Sequence, residues 1–134
     1  MNDVSIRYIA NDVDAAVAFY STHLGFEVLM RPAPGFAALR QNNLRLLLNA
    51  PGAGGAGEST PEGMTPEPGG WNRIQLEIED LVRTVEKLNQ QGLSFRNEIV
   101  TGKGNSSEHT YSTLSILMSG KKPAIRLAEI RLEN

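Results

Sequence analysis

The chain has 134 residues, of which 40% are hydrophobic and 21% charged, a formal net charge of −2 and no cysteine. Its length and composition predict one globular domain. The small charge without basic blocks argues against nucleic-acid binding, the lack of a long apolar run argues against a membrane span, and the lack of cysteine excludes disulfides and thiolate ligands. The N-terminus has no secretory-signal pattern, so a cytoplasmic location is the default expectation.

The first predicted module covers residues 4–50. Val4–Ala10 has the composition of a strand, and Asp12 can cap a helix that ends at Gly25. The apolar stripe of this helix consists of Val13, Ala16, Val17, Tyr20 and Leu24. Three further strands are predicted, with a hairpin turn at Asn42–Asn43: Phe26–Arg31, Phe36–Arg40 and Leu44–Ala50.

Residues 51–70 read PGAGGAGESTPEGMTPEPGG and contain too much glycine and proline for regular structure. We expect a mobile surface segment with one of two roles. It either links two modules or closes over a ligand as a lid.

The second predicted module, residues 71–132, repeats the strand and helix of the first. Trp71–Glu79 forms the strand, and a helix opens at Asp80 and ends at Gly92. The later strands, which become atypical after residue 104, are Leu93–Val100, His109–Met118 and Ala124–Leu132. The repeat predicts the order β-α-β-β-β twice and an α+β fold.

The segments DVDAAVAFYSTHLGFEV and GGWNRIQLEIEDLVRTVEKL resemble the corresponding parts of the vicinal oxygen chelate superfamily. That superfamily includes glyoxalase I, extradiol dioxygenases, fosfomycin-resistance transferases and bleomycin-resistance proteins. The resemblance covers residues 4–103. It implies paired βαβββ modules in a curved mixed sheet around a cleft, and often a homodimer.

The resemblance also implies where a metal would bind. The first two ligand positions fall on Ser5 and Arg73, and the third falls on Arg126 or Ala128, with Glu129 nearby. An arginine cannot release its proton to coordinate a metal. We therefore predict that the chain has no metal and no cofactor.

The two histidines show no metal-binding spacing. His23 lies in the last turn of the first helix, where an imidazole favours the negative helix end. We expect His109 to lie on a surface strand. Neither residue changes the prediction of a metal-free protein.

Strand alternation predicts which side chains line the cleft. Ile74, Leu76 and Ile78 face the helices, and so do Ile6 and Tyr8 of the first module. In the strand Leu44–Ala50, the predicted buried row is Leu44, Leu46 and Leu48, which leaves Arg45, Leu47 and Asn49 on the other side. The predicted ligand-binding residues on the opposite faces are Ser5, Arg7, Arg45, Leu47, Trp71, Arg73, Gln75 and Glu77. Arginines beside a tryptophan favour carboxylate, phosphate or aromatic ligands. Alternatively, Arg7 and Arg73 pair with Glu77 and other acids across neighbouring strands. No catalytic residue is assigned, although Glu77 could act as a general base.

Three functional classes remain open. The first is a metal-free protein that binds a small organic molecule in its cleft, such as a sequestering protein of the resistance type. The second is a metal-dependent lyase or dioxygenase that uses an atypical ligand set of Gln75, Glu77 and Glu129. The third is an interaction module whose apolar edge strands serve dimerisation. The expected partners are a small molecule and a second copy of the chain, with no nucleic acid and no membrane.

Overall fold

The structure is a computed structural model that describes residues 3–69, 73–95, 100–105, 110–119 and 122–133. The chain divides into two compact units. The first comprises Met1–Gly70 with Met118–Lys122, and the second comprises Trp71–Leu117 with Pro123–Asn134. The division at residue 70 coincides with the end of the segment rich in glycine and proline.

The first unit contains one α-helix and four strands: β1 (Val4–Ile9), α1 (Val13–Ala18), β2 (Glu27–Ala33), β3 (Phe36–Gln41) and β4 (Leu44–Asn49). The helix begins as predicted at Asp12, whose Oδ1 accepts a hydrogen bond of 2.9 Å from the amide of Ala15. A π-helical turn, Phe19–His23, continues α1. The predicted helix is therefore present, but its second half is wider than an α-helix.

The π-helical turn preserves the predicted apolar stripe. All five residues of the stripe are buried: Val13, Ala16, Val17, Tyr20 and Leu24. The chain then turns at Gly25, whose φ of +74° is readily adopted by glycine. His23 is the last residue of the turn, as predicted, and its ring contacts that of Phe19 edge-on.

The strands of the first unit form a mixed sheet in the order β1-β4-β3-β2. β1 pairs parallel with β4, so that Val4 lies opposite Leu44, and the other pairs are antiparallel. Asn42 adopts a φ of +52° in the predicted two-residue turn between β3 and β4. β2 lies at the edge of the sheet. This position tolerates Pro32, which has no backbone N–H to donate to a neighbouring strand.

The core of the first unit lies between this sheet and α1, which packs against β3 and β4. Leu39, Leu46 and Leu48 are fully buried there, together with Tyr20 from the π-helical turn. Alternate residues of β4 are thus buried as predicted.

The second unit also follows the predicted element order: β5 (Arg73–Ile78), α2 (Leu81–Gln90), β6 (Val100–Asn105), β7 (Thr110–Ser119) and β8 (Lys122–Glu133). Asp80 caps α2 by accepting a hydrogen bond of 3.0 Å from the amide of Arg83. This contact repeats the one between Asp12 and Ala15. Among the described residues, neither α-helix combines the length and apolarity needed to cross a membrane.

The second sheet is ordered differently from the first. Its order is β5-β7-β8-β6, with β5 antiparallel to β7 and β6 parallel to β8. The first strand of this unit therefore pairs with the third strand, whereas β1 pairs with the fourth. The change falls in the part of the sequence that becomes atypical after residue 104.

The predicted strand Leu93–Val100 is wrong for its first three residues. Residues 93–95 form no strand, residues 96–99 lie outside the described part, and the strand begins at Val100. Gly102 and Gly104 give β6 a low intrinsic strand preference. Its position is set by backbone pairing with β8, which alternation of apolar side chains does not reveal.

Candidate functional site

The face of the first sheet that packs against α1 determines which side chains lie on the opposite face. Tyr8 is 8% exposed, and Leu46 and Leu48 are fully buried. Tyr20 of the π-helical turn is fully buried on the same side. Burial raises the pKa of its phenol above the usual range, and the nearby Tyr8 adds to that shift. Tyr8 therefore lies on the helix side, and strand alternation places Arg7 on the other side.

We call the side opposite α1 the open face. It consists of three rows of register partners: Ser5, Arg45, Arg40 and Glu27; Arg7, Leu47, Ala38 and Met30; and Ile9, Asn49, Phe36 and Ala33. The first row is polar and charged. The second and third rows are mainly apolar, apart from Arg7 and Asn49. Ala38 and Asn49 are buried, so the apolar surface that a ligand can contact consists mainly of Met30 and the half-buried Ile9, Phe36 and Leu47. Together with the charged side chains, it can contact both the charged and the apolar part of one ligand.

Asn49 is only 1% exposed, although it is polar. Its Oδ1 accepts a hydrogen bond of 2.7 Å from Nη1 of Arg7, and its Nδ2 donates to the carbonyl of Gly54 over 3.4 Å. The buried amide is therefore satisfied at both ends. Because Asn49 is neutral, it orients the exposed Arg7 guanidinium without cancelling its charge. Most of the N–H donors of that guanidinium are left for other partners.

The glycine-rich segment after β4 folds against the first sheet. The amide of Ala50 donates to the carbonyl of Gly35 over 2.8 Å, and Gly55–Gly57 forms a short 3₁₀ turn. A Cβ at Gly57 would lie 2.2 Å from the carbonyl oxygen of Ala50. The prediction that residues 51–70 hold no regular structure is therefore wrong for this part. Hydrogen bonds and close backbone contacts order it where large side chains are lacking.

The charges of the first row are compensated unequally. Arg40 binds Asp3 through two contacts, Nη1 to Oδ1 at 3.1 Å and Nη2 to Oδ2 at 2.9 Å. These hydrogen bonds hold the pKa of Asp3 below its usual range, and Arg45 adds a weaker attraction. Within the described residues, Arg45 itself forms no hydrogen bond or ion pair. Its positive charge is therefore compensated only at longer range.

A family model described as the Glyoxalase/Bleomycin resistance protein/Dioxygenase superfamily matches residues 4–112. The chain belongs to this superfamily. The predicted resemblance is thereby confirmed, since glyoxalases, bleomycin-resistance proteins and dioxygenases are the groups that it named. Membership covers lyases, oxygenases and resistance proteins alike, so it does not by itself select an activity.

Three solved structures share the superfamily fold with this chain. Lactoylglutathione lyase from Agrobacterium tumefaciens is 15% identical, with a TM-score of 0.59 over 98% of this chain and 92% of that chain. A glyoxalase/bleomycin resistance protein/dioxygenase from Nocardioides is 19% identical, with a TM-score of 0.59 over 100% and 85%. A bleomycin resistance determinant encoded on transposon Tn5 is 18% identical, with a TM-score of 0.50 over 98% and 96%.

These similarities confirm the predicted α+β fold class. At such low identities they concern the fold alone. No curated protein matches the sequence significantly.

Four of the predicted ligand-binding residues share the open face of the first unit: Ser5, Arg7, Arg45 and Leu47. The alternative prediction, an ion pair between Arg7 and an acid on a neighbouring strand, is not found among the described residues. Arg7 contacts the neutral amide of Asn49 instead. The arrangement therefore leaves this cation available.

The other predicted ligand-binding residues belong to the second unit. Gln75 and Glu77 are exposed and alternate with buried Ile74 on β5, so they share one face of that strand. Trp71 and the side chain of Arg73 lie outside the described part of the structure, as does His109. Their predicted roles stay predictions.

Some superfamily members use a metal, and the resemblance places its first ligand at Ser5. In this structure Ser5 is exposed on β1 and is the register partner of Arg45. A hydroxyl beside a guanidinium is a poor donor set for a divalent cation, which requires several anionic or imidazole ligands. The residues at this position do not fit the metal. Across the described residues, no group of three His, Asp or Glu side chains could hold such an ion.

Strand alternation placed Asn49 on the same side as Arg45 and Leu47, but Asn49 was not among the predicted ligand-binding residues. The signal was present, because Asn49 is an isolated polar residue on β4 directly before the glycine-rich segment. The two hydrogen bonds that define its role join β1, β4 and a loop. Only the register of β1 against β4 shows that its amide and Arg7 are within reach.

Proposed function

We propose that this protein binds a small organic molecule on the open face of its first sheet, without a metal, and sequesters it. The observation that supports this most strongly is the exposed guanidinium of Arg7, held by the buried amide of Asn49. Asn49 ties the Gly54 loop to β4, and it also fixes an exposed cation in place on a largely apolar part of the face. A cation fixed in this way is what a preformed binding site requires, because a side chain fixed beforehand loses little entropy when a ligand arrives.

Apolar side chains beside Arg7 supply the other half of such a site. Leu47 and Phe36 are half-buried, and Met30 on the edge strand is 52% exposed. Covering apolar surface yields roughly 25 cal/mol per Å². A flat or branched apolar group on these rows would therefore add affinity to the polar contacts of Arg7.

The acids at this face favour binding over turnover. Asp3, which is bound by Arg40 of the first row, has its pKa held below the usual range. A carboxylate stabilised as the anion is a poor general base at neutral pH. We therefore propose storage or sequestration as the role of the site, and a homodimer as the assembly that the resemblance implies.

A fluorescence titration tests the proposal. The chain has one tryptophan, Trp71, and a panel of small aromatic and anionic compounds would be titrated while its emission and the heat of binding are followed. We expect saturable binding by at least one compound, weakened about tenfold in Arg7→Gln, since a hydrogen bond to a charged group contributes about 1.5 kcal/mol or more. The matched control is Arg83→Gln, because Arg83 is an exposed arginine on α2. Absence of binding across the panel would refute the proposal.

Elemental analysis of the purified protein separates this function from the metal-dependent alternative. We expect no stoichiometric zinc, nickel, iron or manganese. A stoichiometric metal that is lost on mutation of Gln75, Glu77 or Glu129 would instead favour a lyase or dioxygenase.

A further inference from the structure

We infer that the ligand of the open face is an amphipathic organic anion, whose charged group is bound by Arg45 and Arg7 while its apolar part covers Leu47. This inference rests on the proposed function and specifies its ligand class. Carboxylates and sulfonates share the required chemistry, a planar or tripodal set of oxygens on an apolar body.

The balance of charge on the open face carries the inference. Among the described residues, Arg40 alone of the three arginines of this face has an acidic partner, Asp3, to which both of its terminal nitrogens donate. Glu27 is the register partner of Arg40 and lies two strands away from Arg45. Within the described residues, the part of the face formed by β1 and β4 therefore carries two cations, and neither is bound to a carboxylate.

Each of these two cations is placed differently. Arg7 donates to a neutral amide, which fixes its position and leaves its full charge. Arg45 is half-buried and has no hydrogen-bonding partner among the described residues. The charge of Arg45 is compensated only at longer range, by Asp3. Partial burial makes such a charge more costly than at a fully solvated position, so an arriving anion would relieve that cost.

The register places the two cations on neighbouring strands of the same face. Arg7 lies opposite Leu47, and Ser5 lies opposite Arg45, in the parallel pair of β1 and β4. Arg7 and Arg45 are therefore diagonal neighbours, with Cα atoms about 8 Å apart by ordinary strand geometry. Asn49 holds the Arg7 guanidinium on the far side of Leu47 from Arg45. Both arginines bind one carboxylate or sulfonate when the flexible Arg45 side chain extends along the face towards Arg7. Leu47 lies beside both and can contact the rest of the molecule.

Two dyes of nearly the same shape test the charge requirement. Anilinonaphthalene sulfonate is an anion, phenylnaphthylamine lacks the sulfonate, and both fluoresce when they leave water. We expect the anionic dye to bind at least tenfold more tightly, since one charge-assisted hydrogen bond accounts for about that factor. This preference should fall towards parity in Arg45→Met and in high salt. It should be unchanged in Arg83→Met, which removes the same charge from an exposed position on α2.

A second pair of variants leaves both arginines in place. Ser5 is exposed and directly opposite Arg45, so Ser5→Asp places a carboxylate beside that guanidinium. The variant should lose most of the preference for the anionic dye. Ser5→Asn introduces a side chain of the same size as aspartate but without its charge, and this variant should keep the preference for the anionic dye. Both substitutions are at an exposed position, so circular dichroism should show an unchanged fold.

Each outcome decides a different question. Equal binding of the two dyes, or a preference that survives both Arg45→Met and Ser5→Asp, overturns the inference but leaves the proposed binding function standing. If the preference for the anionic dye is lost equally in Arg83→Met, the net charge of the protein explains it. The inference is then also overturned. Failure of both dyes to bind the wild-type protein counts against the proposed function itself.

Discussion

The close approach of Gly57 to Ala50 allows a direct test of whether the glycine-rich segment is folded onto the first sheet. In Gly57→Ala the new Cβ would lie 2.2 Å from the carbonyl oxygen of Ala50 and 3.3 Å from the Cβ of Ala53. Real Cβ atoms do not approach a backbone atom closer than about 3 Å, so the backbone would have to move by nearly 1 Å. The amide of Ala53, which donates to the same carbonyl over 3.1 Å, would move with it.

The expected cost is about 1–3 kcal/mol, the usual range for inserting a methyl group where no space exists. Gly54→Ala is the matched control in the same segment. Gly54 has a φ of −54°, which alanine adopts without strain, and a Cβ there meets nothing within 4 Å. That substitution should be neutral, or should stabilise by up to about 1 kcal/mol because it restricts the unfolded chain.

Equilibrium unfolding in urea, followed by circular dichroism, measures the difference. With a slope of about 2 kcal/mol/M, the midpoint of Gly57→Ala should fall by about 1 M, while that of Gly54→Ala stays constant or rises slightly. Equal midpoints for both variants would show that the segment tolerates a methyl group anywhere. The description of a segment ordered by close backbone contact would then be wrong.

Two further predictions concern the helix cap of the second unit and the ion pair at the start of β1. Asp80→Ala removes the acceptor for the amide of Arg83 and should lower the free energy of unfolding by about 1 kcal/mol, as measured in urea; Asp80→Asn, which keeps an acceptor, should lose much less. The lowered pKa of Asp3 means that its contact with Arg40 stabilises the fold fully above the ordinary aspartate pKa of about 4 and is lost as the pH falls through the lower, folded value. The melting temperature of Asp3→Asn should therefore lie below that of the wild type at pH 7 and approach it as the pH is lowered below the ordinary aspartate pKa. A difference that stays constant during this acidification would contradict the assignment.

The elements that sequence reasoning predicted well are those fixed by local chemistry. Asp12 and Asp80 mark both helix starts through their side-chain acceptors. The turn at Asn42 is favoured by the tolerance of asparagine for positive φ. Side-chain alternation then assigned Tyr8 and Leu46 to the helix side, and so placed Arg7 and Arg45 on the open face.

The features that sequence reasoning missed depend on contacts between distant parts of the chain. Residues 93–95 were predicted to begin a strand on composition, whereas β6 is set by pairing with β8. The order of the second sheet likewise depends on which strand pairs with β5. Asn49 became part of the site only once its hydrogen bonds to Arg7 and Gly54 were known. None of these contacts leaves a periodic pattern in the sequence.

The parallel pairing of β1 with β4 has a consequence for how the site assembles. β2, β3 and β4 are joined by short turns and can form early, whereas β1 reaches β4 only after the chain closes a loop that contains α1 and two strands. Arg7 lies on β1, and Arg45 lies on the hairpin of β3 and β4. A bound anion would thus join the N-terminal strand to the rest of the unit. Amide hydrogens of residues 4–9 should exchange more slowly as its concentration rises.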